Sequence, residues 1–501
     1  MPREAVHRRN EFGRRKAFVP TSGARALLIT AIIISIAGGI LLFFVKPYYV
    51  FGPIILILLV AGVLKYPILG LYLYMFIVYL RPQDLFGFLA ILRPNIFILI
   101  LTVFSLIVNR RFAGKTSLTL LRNDKMFLAF LVAAVLSNVT SFWFSSSVET
   151  TMELLKVAVF YFAAIMLLDN EQRITRYITY YLLSIGFVCL VQIYTFLTVG
   201  LNQSTGRGGY GIIIGGATVL GGGGPLRMTT EGVNGVGGFS THFLANASEL
   251  GLGLCVAYPL CYYLFRGARR PLEKAIGLLL LALLIVSIFV SGSRGAFVAL
   301  VATIIYLLYK EKRLVSGLIV LAILSVPAVY LVSGRYVERI ESIRDYQNDV
   351  SVNIRFQLWR AAVEMIADYP VFGVGTGNFP NAYGGAYRAA GSQSLYWSPH
   401  NVFIQIITEM GIVGFTAYIL FIAAIFWINR KTRALLAGFS EHRRLVFFTR
   451  AVDVALVGYI VAGQFITATY YPHLFQLSVW ASAIYMVAKK SVAAPLEDTA
   501  A

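Results

Sequence analysis

Ala275-Ile-Gly-Leu-Leu-Leu-Leu-Ala-Leu-Leu-Ile-Val-Ser-Ile-Phe-Val290 is an apolar run that carries no charge. The turn Ser291-Gly-Ser293-Arg294-Gly295 follows, and then a second apolar run over 296–309. Arg294 is the only charged residue between Lys274 and Lys310. Two apolar segments joined by so short a turn read as neighbouring membrane spans.

The pattern holds along the chain. Of 501 residues, 58% are hydrophobic and only 13% are charged, whereas a soluble domain carries about a quarter charged residues. A disordered, collagenous or ordinary globular chain is thereby excluded. The apolar segments fall at 26–45, 49–64, 66–80, 96–108, 126–144, 154–168, 177–199, 243–265, 275–290, 296–309, 314–332, 402–428, 446–468 and 474–488. The third and fourth, broken by Arg81-Pro82 and Arg93-Pro94, could form one re-entrant hairpin, which leaves twelve to fourteen spans. The expected fold is an all-α polytopic membrane bundle with a helical cap on its outer, periplasmic side.

The net charge of +20 has two explanations, nucleic acid binding or topology. With the N-terminus inside, 29 Lys and Arg fall in inner segments and 12 in the much longer outer ones. That asymmetry is the positive-inside rule, so nucleic acid is not an expected partner and both termini are expected in the cytoplasm. Residues 1–25 then form a basic cytoplasmic tail, 26–488 the transmembrane domain and 489–501 a second tail. The first span follows Arg14, Arg15 and Lys16 without a small-residue cleavage site, and reads as an uncleaved anchor. Cys189, Cys255 and Cys261 lie in apolar stretches at no metal-ligand spacing. No His/Cys/Asp/Glu cluster stands out, so neither a metal nor another cofactor is expected.

Two outer loops are long, 200–242 and 333–399, and long loops on a helical scaffold usually carry function. The first is glycine-rich, with Gly221-Gly222-Gly223-Gly224 at its centre, and reads either as a disordered connector or as a mobile lid. The second contains apolar residues at 358, 359, 362, 363 and 366, which is helical spacing, with Ser351 as a possible cap and Asp368-Tyr369-Pro370 as the stop. Arg355 and Arg360 would project from that helix. A tight turn follows at Gly373-Val-Gly375-Thr-Gly377-Asn378-Phe379, and the loop ends at His400-Asn401 directly before the 402–428 span. His400 therefore sits near a helix N-terminus, a setting that suits an anion and depresses an imidazole pKa. A neutral histidine there accepts a proton. Arg294 at the edge of the hydrocarbon reads as a functional charge or as one snorkelling to the interface. Glu409 could pair with a buried arginine or fix helix packing. His473, beside Tyr470-Tyr471-Pro472, reads as interfacial.

Ser293-Arg294-Gly295, then Asn353-x-Arg355-x-x-x-Trp359, then Gly373-x-Gly375-x-Gly377-x-Phe379, then His400-Asn401 with Glu409, Gly411 and Gly414, occur in that order on one membrane side. From about 241 to 469 the chain resembles the O-antigen ligase and polymerase superfamily of bacterial inner-membrane proteins. The resemblance implies a metal-independent, inverting GT-C-type glycosyltransferase working at the periplasmic face. Its donor would be a glycan on undecaprenyl diphosphate, and its acceptor a lipid A core, another carrier-linked glycan or a protein hydroxyl, with membrane lipid around it. It implies His400, Arg294 and Arg355 as catalytic residues, and Arg360, Asn401 and Glu409 are the expected substrate contacts. A repeat-unit polymerase or protein oligosaccharyltransferase of the same superfamily is the near alternative. A lipid-linked sugar flippase or transporter is the distant one, and it predicts broken helices and internal repeats.

Overall fold

The computed structural model describes residues 47–80, 93–112, 119–195, 212–214, 217–220, 247–291, 293–313, 315, 350–388 and 397–498. The chain divides into two compact units, 1–64 and 65–501. The described part of the first is most of the apolar helix Pro47–Lys65.

The second unit is built of apolar helices: Pro67–Leu80, Pro94–Phe112, Arg122–Leu136, Phe144–Leu167, Glu171–Thr195, Ala247–Gly267, Pro271–Ser291, Arg294–Lys310, Val402–Leu435, Arg443–Ala462 and Pro472–Asp498. Among the described residues six helical stretches are long and apolar enough to cross a membrane: Phe144–Leu167, Glu171–Tyr194, Ser248–Gly267, Pro271–Ser291, Val402–Leu435 and Ser440–Ala462. The fold is an all-α polytopic membrane bundle. Expected spans at 26–45 and, apart from residue 315, at 314–332 lie outside the described residues.

Helices in lipid keep apolar residues on both sides, and the two sides differ only in what they touch. Along Pro271–Ser291, Leu284 and Ile288 are buried while Leu278 and Leu279 are exposed. The exposed row is the face left for lipid. Inside, Trp480 on Pro472–Asp498 meets Tyr181 of Glu171–Thr195 edge-on at 5.2 Å between centroids. Phe127 stacks on Phe421 at 5.4 Å, joining Arg122–Leu136 to Val402–Leu435.

Several features depart from the hydropathy reading, among them the helix Phe144–Leu167, which starts ten residues before the expected 154, and Val402–Leu435, which runs past 428. The 126–144 segment is two elements: a helix ending at Leu136 and a 3-10 turn over Ser137–Thr140, after which the next helix starts at Phe144. The 446–468 segment ends as a helix at Ala462, and the chain turns from Gly463 onward. The 200–242 loop contains one small antiparallel hairpin, Ile212–Ile214 with Ala217–Leu220, Ile213 lying opposite Thr218. The rest of that loop lies outside the described residues.

The cap helix forms as expected, over Val350–Asp368, with Ser351 inside its first turn. Its buried face is turned by about one position from the sequence reading. Leu358, Ala361, Ala362 and Met365 form a small separate core with Val374, Phe379, Ala382 and Tyr383. Val363, expected inside, is 66% exposed.

Candidate active site

The Val402–Leu435 helix is broken at Gly411, whose φ of 61° and ψ of −164° are non-helical. Such a conformation is open almost only to glycine. A break inside an apolar helix frees backbone groups, which must find partners in the protein. They find them in the segment after the cap helix. Val374 N–H donates to Thr408 O (2.9 Å) and Gly375 N–H to Glu409 O (2.9 Å). On the far side of the break, Ile412 N–H donates to Pro370 O (2.9 Å) and Val413 N–H to Val371 O (3.3 Å).

The glycine-rich turn is shaped for this docking. Gly373, Gly375 and Gly377 all have positive φ, between 72° and 95°. On the other side, Phe142 N–H donates to Val374 O (2.8 Å) and Thr140 Oγ1–H to Gly373 O (2.6 Å). Glu409 closes the arrangement. It is fully buried, and its carboxylate accepts from Gly377 N–H (3.0 Å), Phe379 N–H (3.2 Å), the Gln405 amide and the Tyr470 hydroxyl. Of the two expectations for Glu409, a buried arginine partner and a packing role, this geometry is the second: its partners are backbone amides, an amide and a phenol.

Past the turn the chain returns to the membrane at His400-Asn401. Asn401 caps the helix, its Oδ1 accepting from Phe403 N–H (2.9 Å) and Ile404 N–H (3.1 Å). Asn401 O accepts from Gln405 N–H (2.9 Å), and Gly463 O accepts from Val402 N–H (2.7 Å). All four leading N–H groups are therefore occupied by protein. This corrects the expectation of a free helix N-terminus for an anion.

His400 has a left-handed φ of 51°, held by its N–H donating to Thr467 Oγ1 (2.9 Å) and by the Trp397 ring edge-on at 6.3 Å. Pro399 just before it is fixed by the Trp359 indole, whose Nε1–H donates to Pro399 O (2.9 Å). Arg355, four residues before Trp359 and so on the same helix face, donates from Nη2 to Phe465 O (3.5 Å). Burial first, and the Arg355 charge second, lower the imidazole pKa from 6.5 to about 4.

Arg360 is oriented differently. Its side chain is 86% exposed and lies 3.7 Å from Glu364 on the outer face of the cap helix. Arg294 opens its helix, capped by Ser293, whose Oγ accepts from Ala296 N–H (3.2 Å). Adjacent Gly295 presses on Phe465: a Cβ built there would lie 2.6 Å from the Phe465 Cβ.

One segment recurs among these contacts. The turn after Ala462 receives Asn401 at Gln464 (3.0 Å to Oε1), Arg355 and Gly295 at Phe465, and His400 at Thr467; Thr469 Oγ1–H donates to Gln405 Oε1 (2.6 Å), and Tyr470 reaches Glu409. Arg294 by its neighbour, and Arg355 and His400 directly, are brought to one end of the bundle. Gln464, Phe465, Thr467 and Tyr470 were missed by sequence reasoning. The available signal was polar Gln464, Thr467 and Thr469 at the end of an otherwise apolar stretch.

Residues 279–419 match the family model described as O-Antigen ligase. Over that stretch the chain is similar to the O-antigen ligase family, which agrees with the superfamily resemblance carried by its motifs. The match spans Arg294, Arg355, His400 and Glu409, and stops before the 463–470 turn. A curated relative from Haemophilus influenzae (strain Rd), described as "Uncharacterized protein", is 29% identical over 163 residues. That alignment covers 29% of this chain and 41% of the relative, so the chain spans less than half of that protein's length.

His473, read as interfacial from its tyrosine neighbours, packs inside the protein rather than on its surface. It is fully buried, 6.0 Å between centroids from Tyr79, because it falls on the inward face of the helix that begins at Pro472.

Proposed function

We propose that the protein transfers a glycan from undecaprenyl diphosphate to an acceptor hydroxyl at the periplasmic face, by single displacement and without a bound metal. The supporting observation is that one turn, 463–470, holds Arg355 and His400 and abuts Gly295 beside Arg294. Arg294 and Arg355 bind the diphosphate, whose charge grows as the C1–O bond breaks and its electron pair stays on the leaving oxygen. Guanidiniums suit that role because they offer paired donors and need no reorganisation. The acceptor oxygen attacks C1 from the opposite side and inverts it.

His400 takes the acceptor proton. With its pKa lowered to about 4 it is a neutral but weak base in the empty site. The donor's negative charge beside Arg355 offsets the guanidinium and raises the imidazole toward its ordinary range. The base is thus strengthened when donor is present. Glu409 and Asn401 are positioning residues, one bracing the glycine turn and the other the His400 backbone. Ligase, polymerase and protein-glycosylating variants share this chemistry; the ligase type is preferred on the family match.

The break at Gly411 is a feature that the transporter reading predicts. Its freed backbone groups are taken by residues 370–375 rather than left facing a pathway. The test is release of undecaprenyl diphosphate from a carrier-linked glycan by purified protein in detergent with chelator. His400→Ala is expected to lose about 100- to 10,000-fold, with a comparable loss in Arg294→Ala. Activity that requires added divalent metal contradicts the mechanism, and lipid movement without bond cleavage supports the transporter.

A further inference from the structure

The two helices that begin at the candidate site end at a second charged cluster. Arg294–Lys310 starts with Arg294 and finishes with Lys310, roughly 25 Å away at 1.5 Å per residue. Val402–Leu435 starts beside His400 and carries Arg433 in its last turn. There, Lys310, Arg433, Arg450 and Asp453 line an open cavity of about 230 Å³.

The carboxylates at this end are already engaged. Asp453 lies 2.7 Å from Arg433. Glu311, whose side chain is 2% exposed, accepts from the Tyr263 hydroxyl (2.6 Å), is paired with Arg266 and lies 3.5 Å from Arg450. Lys310 forms no ion pair among the described residues; its ammonium lies 5.3 Å over the Tyr306 ring. Three cations, Lys310, Arg433 and Arg450, thus line the cavity against one carboxylate, Asp453, a surplus of two positive charges. Arginine and lysine grouped around one opening at the end of membrane helices form a local positive site for an anion.

We propose that this cavity binds a phosphate group, at the end of the bundle opposite His400. Arginine forks match phosphate oxygens, and basic pockets between membrane helices take lipid head groups. The cavity is too small for a folded macromolecule or a nucleic acid strand, and it opens where helices end. Two sources share the chemistry: the head group of an anionic phospholipid and free phosphate.

The experiment follows thermal unfolding of the full chain in neutral detergent. It is titrated with short-chain phosphatidylglycerol, phosphatidylcholine of the same chain length, or inorganic phosphate, at matched ionic strength. Phosphatidylglycerol is expected to raise the midpoint and phosphatidylcholine to leave it unchanged, since only a ligand that prefers the folded state stabilises it. Lys310 forms no close ion pair among the described residues, so Lys310→Gln disturbs the cluster less than loss of Arg433 or Arg450, and its unfolding midpoint without ligand checks that it folds. The substitution should raise the half-maximal phosphatidylglycerol concentration about tenfold, the size of one lost charge-assisted contact. Arg450→Lys keeps the charge but loses the fork, and should fall between. A shift with inorganic phosphate equal to that with phosphatidylglycerol assigns the site to free phosphate; a shift with the lipid alone assigns it to the head group. The proposal is overturned if no phosphate compound shifts the midpoint, if both lipids act equally, or if Lys310→Gln responds as the unsubstituted chain does.

Discussion

Gly411→Ala is the substitution whose cost follows most directly from the geometry. A Cβ at Gly411 would lie 2.2 Å from Val371 O and 2.4 Å from Val371 C, so a backbone rather than a flexible side chain must move. The residue's φ of 61° with ψ of −164° adds strain of about 1–3 kcal/mol for any L side chain. Moving Val371 also disturbs Ile412 N–H···O Pro370 and Val413 N–H···O Val371, each worth about 1 kcal/mol. The sum is about 3–5 kcal/mol, a large part of the roughly 5–15 kcal/mol that holds a typical domain. Gly438→Ala is the internal control: its φ is 97°, yet nothing lies within 4 Å of a built Cβ, so it carries the strain alone. Thermal unfolding in detergent, with donor turnover measured on the surviving folded fraction, reads both. Gly411→Ala should unfold several degrees below Gly438→Ala and should lose turnover even when folded, because the 373–379 turn is displaced. Equal midpoints for the two variants, with normal turnover, would refute the claim that the 370–375 segment is docked into the helix break.

Four further outcomes are expected. The acid limb of kcat/KM should fall near pH 4, the value for His400 in the free site, and the limb of kcat should lie higher because bound donor offsets Arg355; a limb of kcat/KM at pH 6.5 removes the assignment. Stability carries the same sign: the unfolded imidazole takes its proton first, so about 3 kcal/mol present above pH 6.5 is lost as pH falls toward 4, as pH-dependent unfolding will read. Arg355→Ala should cut turnover by about 100-fold or more, while Arg360→Ala, an exposed ion pair worth under about 0.5 kcal/mol, should leave it near normal; parallel single-turnover assays decide. Asn401→Ala should lower stability by about 1–2 kcal/mol in thermal unfolding, since it removes a cap that serves two N–H groups and its tie to Gln464.

The long spans were legible because apolar runs such as 275–290 have one physical reading. The same rule concealed the 463–470 turn: Phe465, Ile466 and Ala468 are apolar, so the hydropathy of Arg443–Ala462 ran on through them. Helical spacing located the cap helix but left Arg355 and Arg360 equivalent. What separates them is contact across the fold: Trp359 bonds Pro399, 40 residues away, and Arg355 on the same face reaches Phe465, while Arg360 stays exposed. Glu409 was ambiguous for the same reason, since its partners Gly377 and Phe379 lie 32 and 30 residues away. The closed helix N-terminus was not foreseen because it needs both a local cap, Asn401, and a distant acceptor, Gly463 O.

The turn after Ala462 carries no Asp, Glu, His, Lys or Arg, yet it holds His400, the proposed proton acceptor, and Arg355, a proposed phosphate-binding group, and it abuts Gly295 beside Arg294. A sub-ångström shift of Phe465 and Thr467 therefore misaligns them jointly. Lesions there will mimic removal of several catalytic groups at once, and combining two of them will add little to either.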